Sequence, residues 1–91
     1  MNKQNQSEPS IQTVGRNIRR WREHYEMKCE DLASKIGICK ASLSKIENGQ
    51  TNITVNRITQ IATALELTSQ LLLTSDPQSI VKQFVNQQTN I

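Results

Sequence analysis

The stretch from Leu32 to Gly49, LASKIGICKASLSKIENG, constrains the fold more than any other part of the chain. Leu32, Ala33 and Ile36 make an apolar helical stripe that stops at Gly37, the residue type best suited to the left-handed turn after a helix. A second stripe, Leu43 and Ile46, belongs to a helix that starts near Cys39 and is stopped by Asn48-Gly49. A link this short does not let two helices lie antiparallel. They cross steeply, as a helix-turn-helix, and the outward face of the second stays clear of the first. On that face lie Lys40, Ala41, Ser44 and Lys45, with Ser42 nearby. They are small or basic, and none is acidic. A helix with such a face enters the DNA major groove, about 12 Å wide, without steric or charge conflict.

The other apolar residues also follow helical spacing, and no stretch alternates with period two for long. Val14, Ile18, Trp21 and Tyr25 share one face of a first helix, from about Pro9 to Tyr25, capped by Ser7 or Ser10. The second helix spans about Cys29 to Ile36, with Glu30 and Asp31 in its first turn, where carboxylates suit the helix dipole. The third spans about Cys39 to Glu47. A fourth, about Val55 to Leu65, follows the cap Thr54 and carries Val55, Ile58, Ile61, Ala62 and Leu65 on one stripe. A short fifth, about Ser69 to Leu73, follows Thr68. Asp76-Pro77 predicts a sixth, to about Gln87, with Ile80, Val81, Phe84 and Val85 at 3–4 spacing. The expected fold class is all-α, a five-helix bundle with a short additional C-terminal helix. The expected organisation is a disordered arm at 1–8, a helix-turn-helix domain at 9–75, the C-terminal helix at 76–87 and a frayed tail at 88–91.

Composition narrows the function. Leu, Ile, Val and Phe make up 22 of 91 residues, above the roughly 20% below which disorder is the default. No apolar run approaches the 18 or so residues of a membrane span, and the first ten residues are polar, so a cytoplasmic protein without a membrane partner is expected. Two cysteines are too few for a disulfide scaffold. One His and two Cys at no ligand spacing predict no metal and no cofactor. His24 has no catalytic partner in the pattern, and no nucleophile–base pair stands out, so an enzyme is not expected. Trp21 and Tyr25 read as core residues on one stripe, not as the platform that single-stranded nucleic acid stacks on. From Arg16 to Arg57 there are nine basic residues against five acidic ones. Such an excess suits phosphate neutralisation and an affinity that falls steeply with salt.

The segments IRRWRE (Ile18–Glu23), EDLASKIGI (Glu30–Ile38), SLSKIENGQTN (Ser42–Asn52) and RITQIATALEL (Arg57–Leu67) together resemble the lambda-repressor-like, XRE-type helix-turn-helix regulators. The likeness runs from Val14 to Leu73, and SKIENG in its place after the glycine turn is its most specific part. The resemblance implies a five-helix bundle that binds double-stranded DNA through helix three as a transcriptional regulator, with a repressor expected. It implies that Cys39, Lys40, Ala41, Ser44 and Lys45 touch bases or adjacent phosphates. It places Cys29 and the loop residues Asn48, Gln50 and Asn52 near the phosphate backbone, with Lys28 and Ser42 joining that set. It also implies a salt bridge between Arg22 and Glu47. Lysine suits the O6/N7 edge of guanine, serine is permissive, and Ala41 suits a thymine methyl.

Four residues depart from the family's pattern. Glu26 and Glu66 stand where a helix-ending glycine is common, Lys28 replaces a Ser or Thr cap, and Cys29 replaces a glutamine. Lys28 removes a side-chain acceptor, worth about 1 kcal/mol, and the Cys29 thiol is a poor substitute in a phosphate contact. Cys29 and Cys39 read either as two plain reduced thiols or as a redox pair. In the redox reading the helix N-terminus and Lys28 lower the Cys29 thiol pKa. The fifth and sixth helices are expected to form a homodimer, with recognition helices about 34 Å apart on an inverted repeat. An antitoxin paired with a toxin, or an interaction module on the same fold, is the alternative.

Overall fold

The computed structural model describes residues 10–77. They form five helices and no strand: α1 (Ile11–His24), α2 (Cys29–Lys35), α3 (Lys40–Glu47), α4 (Val55–Ala64) and α5 (Ser69–Thr74). The expected arm at 1–8, the tail at 88–91 and the sixth helix beyond residue 77 lie outside the described residues.

Local chemistry sets the helix ends. Ser10 Oγ accepts from the Thr13 N–H at 3.0 Å, Thr54 Oγ1 from Arg57 N–H at 3.1 Å, and Thr68 Oγ1 from Leu71 N–H at 3.1 Å. Each satisfies one of the N–H groups that a helix start leaves without a partner. At the other ends, four helices close with the same pair of backbone hydrogen bonds. In α2, Gly37 N–H reaches Ser34 O at 3.2 Å and Ile38 N–H reaches Ala33 O at 3.0 Å. The motif needs a left-handed residue, supplied by Gly37 after α2 (φ 76) and Gly49 after α3 (φ 71). After α1 and α4 the same place is taken by Glu26 (φ 57) and Glu66 (φ 60).

α1 packs on both α3 and α5, α2 on α3, and α4 on α5 and α2. Ile18, Leu32, Leu43, Ile61, Leu65 and Leu72 are almost wholly buried, so every helix sends a large aliphatic group to one core. Each contributes about 1.5–3 kcal/mol by leaving water. Polar atoms of α1 fasten the end of α5. Asn17 Nδ2 donates to Leu72 O at 3.1 Å and Leu73 O at 3.3 Å, and Trp21 Nε1 donates to Ser75 O at 2.9 Å. Arg20 Nη1 donates to Asp76 Oδ2 at 2.9 Å.

Two residues expected in the apolar stripes are not in the core. Tyr25 is 45% exposed, because it caps the end of α1 and its ring lies over Trp21, centroids 6.2 Å apart, instead of entering the bundle. Val55 is 78% exposed. It opens α4 before that helix meets its neighbours, and the α4 residues packed on the core begin at Ile58.

Candidate nucleic-acid interface

α3 is eight residues long and divides cleanly by side. Leu43, Ile46 and Glu47 are buried, while Lys40, Ala41, Ser42 and Lys45 are exposed. Ser44 lies partly buried at the edge of the exposed side, with Asn48 Nδ2 donating to its hydroxyl at 3.5 Å. Cys39 is the N-cap residue just before the helix and is exposed, its sulfur 3.2 Å from Ser42 Oγ. That hydrogen bond, with nearby backbone N–H groups, holds the Cys39 thiol below its ordinary pKa. Lys40 Nζ lies 3.8 Å from Glu30 Oε1, a contact open to water on both sides and therefore weak.

Around this face stand the other predicted positions. Lys28, Asn48, Gln50 and Asn52 are exposed and Cys29 is partly buried. α2 and α3 start without a side-chain cap. At α2 the Lys28 N–H donates to Asp31 Oδ2 at 3.4 Å, but an ammonium has no lone pair to give in return. The expected lowering of the Cys29 pKa is overturned. Burial first, and then the Glu47 carboxylate, push this thiol up, outweighing Arg22 and Lys40. Its sulfur sits 3.9 Å from Lys40 O, which ties the start of α2 to the start of α3.

The inward side of α3 is locked to α1. Arg22 Nε and Nη2 donate to the two oxygens of Glu47 at 2.8 and 3.0 Å, and Nη1 donates to Met27 O at 2.7 Å. The hydrogen bond to Glu47 raises the Arg22 pKa further above its already high value. Two-pronged pairs of this kind fix geometry as well as charge. Arg57, given no role by the sequence pattern, lines an open cleft of about 400 Å³ with Lys45, Ser42, Thr51 and Asn52. Its Nη1 donates to Gln60 Oε1 at 2.8 Å. The available signal was Thr54, whose cap puts Arg57 in the first turn of α4. Among the described residues no three His, Cys, Asp or Glu side chains are grouped to hold a metal ion, and no helix is long and apolar enough to cross a membrane.

A helix-turn-helix family model, HTH_3, matches residues 18–72. No curated protein matches the chain in sequence. Among solved structures, the restriction-modification controller protein C.AhdI from Aeromonas hydrophila is 27% identical, with a TM-score of 0.66, over 68% of this chain and 90% of its own. A hypothetical transcription factor, NHTF from Neisseria, is 27% identical with a TM-score of 0.70, over 80% and 83%. The master regulator for biofilm formation SinR, solved in complex with DNA, is 31% identical with a TM-score of 0.61, over 66% and 97%. Because the family model matches residues 18–72, more than half of its length, the chain belongs to the helix-turn-helix family HTH_3, the lambda-repressor-like, XRE-type group of regulators.

Proposed function

We propose that the chain is a sequence-specific regulator, acting as a repressor, that binds double-stranded DNA by laying α3 in the major groove. One observation carries this reading. Cys39, Lys40, Ala41 and Lys45 stand exposed on one short helix whose only carboxylate, Glu47, is turned inward to Arg22. The solved relative SinR in complex with DNA supports it. In this reading Lys40 and Lys45 address guanine edges, Ala41 a thymine methyl, and Ser44 and Cys39 the adjoining base edges. Lys28, Cys29, Ser42, Asn48, Gln50 and Asn52 approach phosphates and set the register without reading sequence. Two copies with their α3 helices about 34 Å apart read an inverted repeat. In this reading the protein works in the cytoplasm, together with its DNA target.

The test is selection of bound duplexes from a random pool, followed by gel shifts at several salt concentrations. An inverted-repeat consensus is expected. Lys45→Ala should relax base preference at one position by about 1–3 kcal/mol. Equal loss on every sequence would move Lys45 to the phosphate set. Absence of binding at low salt would refute the regulator reading. Sedimentation of the protein–DNA complex should give two copies per repeat; one copy would remove the dimer.

A further inference from the structure

The last turn of α3, which carries Lys45, rests on α1 at a place with no side chain. Gly15 is buried where the two helices cross. A Cβ there would run into the carbonyl oxygen of Ile46 and lie 2.8 Å from that of Glu47. These are backbone atoms, and Ile46 O is already held by the Gly49 N–H at 3.1 Å, so they do not swing aside as a side-chain tip would. A second close approach lies one turn earlier on α1, where a Cβ on Gly49 would come within 2.7 Å of Gln12 Cγ. Two turns beyond Gly15, Arg22 grips Glu47. Gln12, Gly15 and Arg22 thus share a face of α1 and hold one end of α3. The other end packs on α2, where Cys29 Sγ approaches Lys40 O at 3.9 Å.

We propose that Gly15 is a positioning residue: its missing side chain sets how deeply the last turn of α3 seats on α1, and so where Lys45 points on DNA. This rests on the regulator reading. A side chain at this position lifts the last turn while α2 retains the first, so α3 tilts about its start. Lys45 then moves most and Lys40 least. Hydrogen bonds to base edges weaken steeply with distance and angle, whereas long-range attraction to phosphates does not. The tilt therefore lowers discrimination between sequences and leaves general attraction to DNA in place.

The full chain carrying Gly15→Ala tests this on the selected duplex and a scrambled one. Circular dichroism should show unchanged helix content, and the scrambled duplex should keep its affinity and salt slope. Affinity for the selected duplex should fall about ten- to a hundredfold, at the base pairs that Lys45→Ala also relaxes. A folded variant with unchanged specific affinity, or with equal loss on both duplexes, overturns the proposal. If Gly15→Ala does not fold, Arg22→Lys, which keeps the charge but loses the two-pronged grip, must show the same split, and its absence overturns the proposal. Residual dipolar couplings on free protein separate this from the regulator reading. A changed α3 angle in Gly15→Ala, with no DNA binding by either protein, supports the seat and refutes the regulator. An unchanged angle in Gly15→Ala overturns the seat whatever the DNA result.

Discussion

The helix-turn-helix pair and the helices that carry it are finished in opposite ways. α2 and α3 end on glycines, Gly37 and Gly49, that take the left-handed conformation without a Cβ clash, yet they begin without side-chain caps at Lys28 and Cys39. α1 and α4 begin on the capping side chains of Ser10 and Thr54 and end on Glu26 and Glu66, forced to φ 57 and 60. The difference teaches where each region has slack. The carrier helices each satisfy one of their first N–H groups with their own cap and absorb backbone strain at their far ends. The pair keeps a relaxed turn and gives its starts, beside the proposed DNA surface, no oxygen cap: at α3 only the weakly accepting Cys39 sulfur faces the first N–H groups, which a stronger outside acceptor can take over. Helix N-termini with unfilled N–H groups favour anions such as phosphate.

The largest test breaks the link between the two regions. Arg22 and Glu47 have side chains only 12% and 5% exposed. Removing one partner of such a pair leaves the other buried and uncompensated, so Glu47→Ala should lower stability by about 3 kcal/mol. Thermal melting should show this as a drop in Tm of about 12 °C or more. A loss no greater than that of a surface substitution would mean that α3 is held by packing alone. Next come the two glycines. Gly37 has nothing within 4 Å of a built Cβ, so Gly37→Ala meets only left-handed strain, about 1 kcal/mol. Gly49→Ala meets that strain and Gln12 as well, and should lose about 2 kcal/mol by denaturant unfolding. Equal losses would remove Gln12 from the seat of α3.

A smaller test exchanges the treatment of the starts. Lys28→Ser gives α2 the acceptor it lacks and should stabilise by about 1 kcal/mol, as Ser10→Ala should destabilise by about the same. Their effects on DNA should diverge. Lys28→Ser removes one proposed phosphate contact and should reduce the salt slope of binding by about one, whereas Ser10→Ala should leave it unchanged. Binding titrations across salt concentrations read both. If the two variants behave alike on DNA, the contrast between open and capped starts has no functional content.

What could be read from the chain divides along the same line of local against distant causes. Thr54 and Thr68 announce helix starts, and Gly37 and Gly49 announce ends, because a cap is made by residues three or four apart, and these boundaries match the structure within a residue; the first helix, expected from Pro9 with Ser7 or Ser10 as its cap, starts two residues later, at Ile11 after Ser10. Periodicity tells which face of α1 and α4 turns inward but not where the neighbouring helix stops, which is why Tyr25 and Val55 lie on the apolar stripes and yet stand outside the core. The neighbours of Cys29, Lys28 and the helix start, predict a lowered thiol pKa, while burial and Glu47, eighteen residues away, raise it. Arg22 and Glu47 were paired through the family resemblance, since nothing local joins residues on different helices. The cleft that Arg57 shares with Lys45 needs the loop from Thr51 to Thr54 to bring the start of α4 beside α3 and has no signature in either segment alone. Glu26 and Glu66 were visible only as departures from a pattern, because glutamate gives no local cue for a left-handed turn.

Those two glutamates give the finest test of the contrast. A non-glycine residue in the left-handed region costs about 1–2 kcal/mol. Glycine removes that strain but adds about 0.5–1 kcal/mol of backbone freedom to the unfolded chain. Glu26→Gly and Glu66→Gly, made singly, should therefore each stabilise by about 0.5 kcal/mol, a rise in Tm of about 2–4 °C. The closing hydrogen bonds stay, since Met27 N–H to Arg22 O at 3.0 Å and Leu67 N–H to Ala62 O at 2.8 Å involve no side chain of either glutamate. DNA affinity should not change, because both turns belong to the carrier helices. A loss of stability on either substitution would mean that the glutamate side chain does something there beyond tolerating its backbone. The carrier helices would then end as comfortably as the pair does, and the division of strain between the two regions would no longer hold.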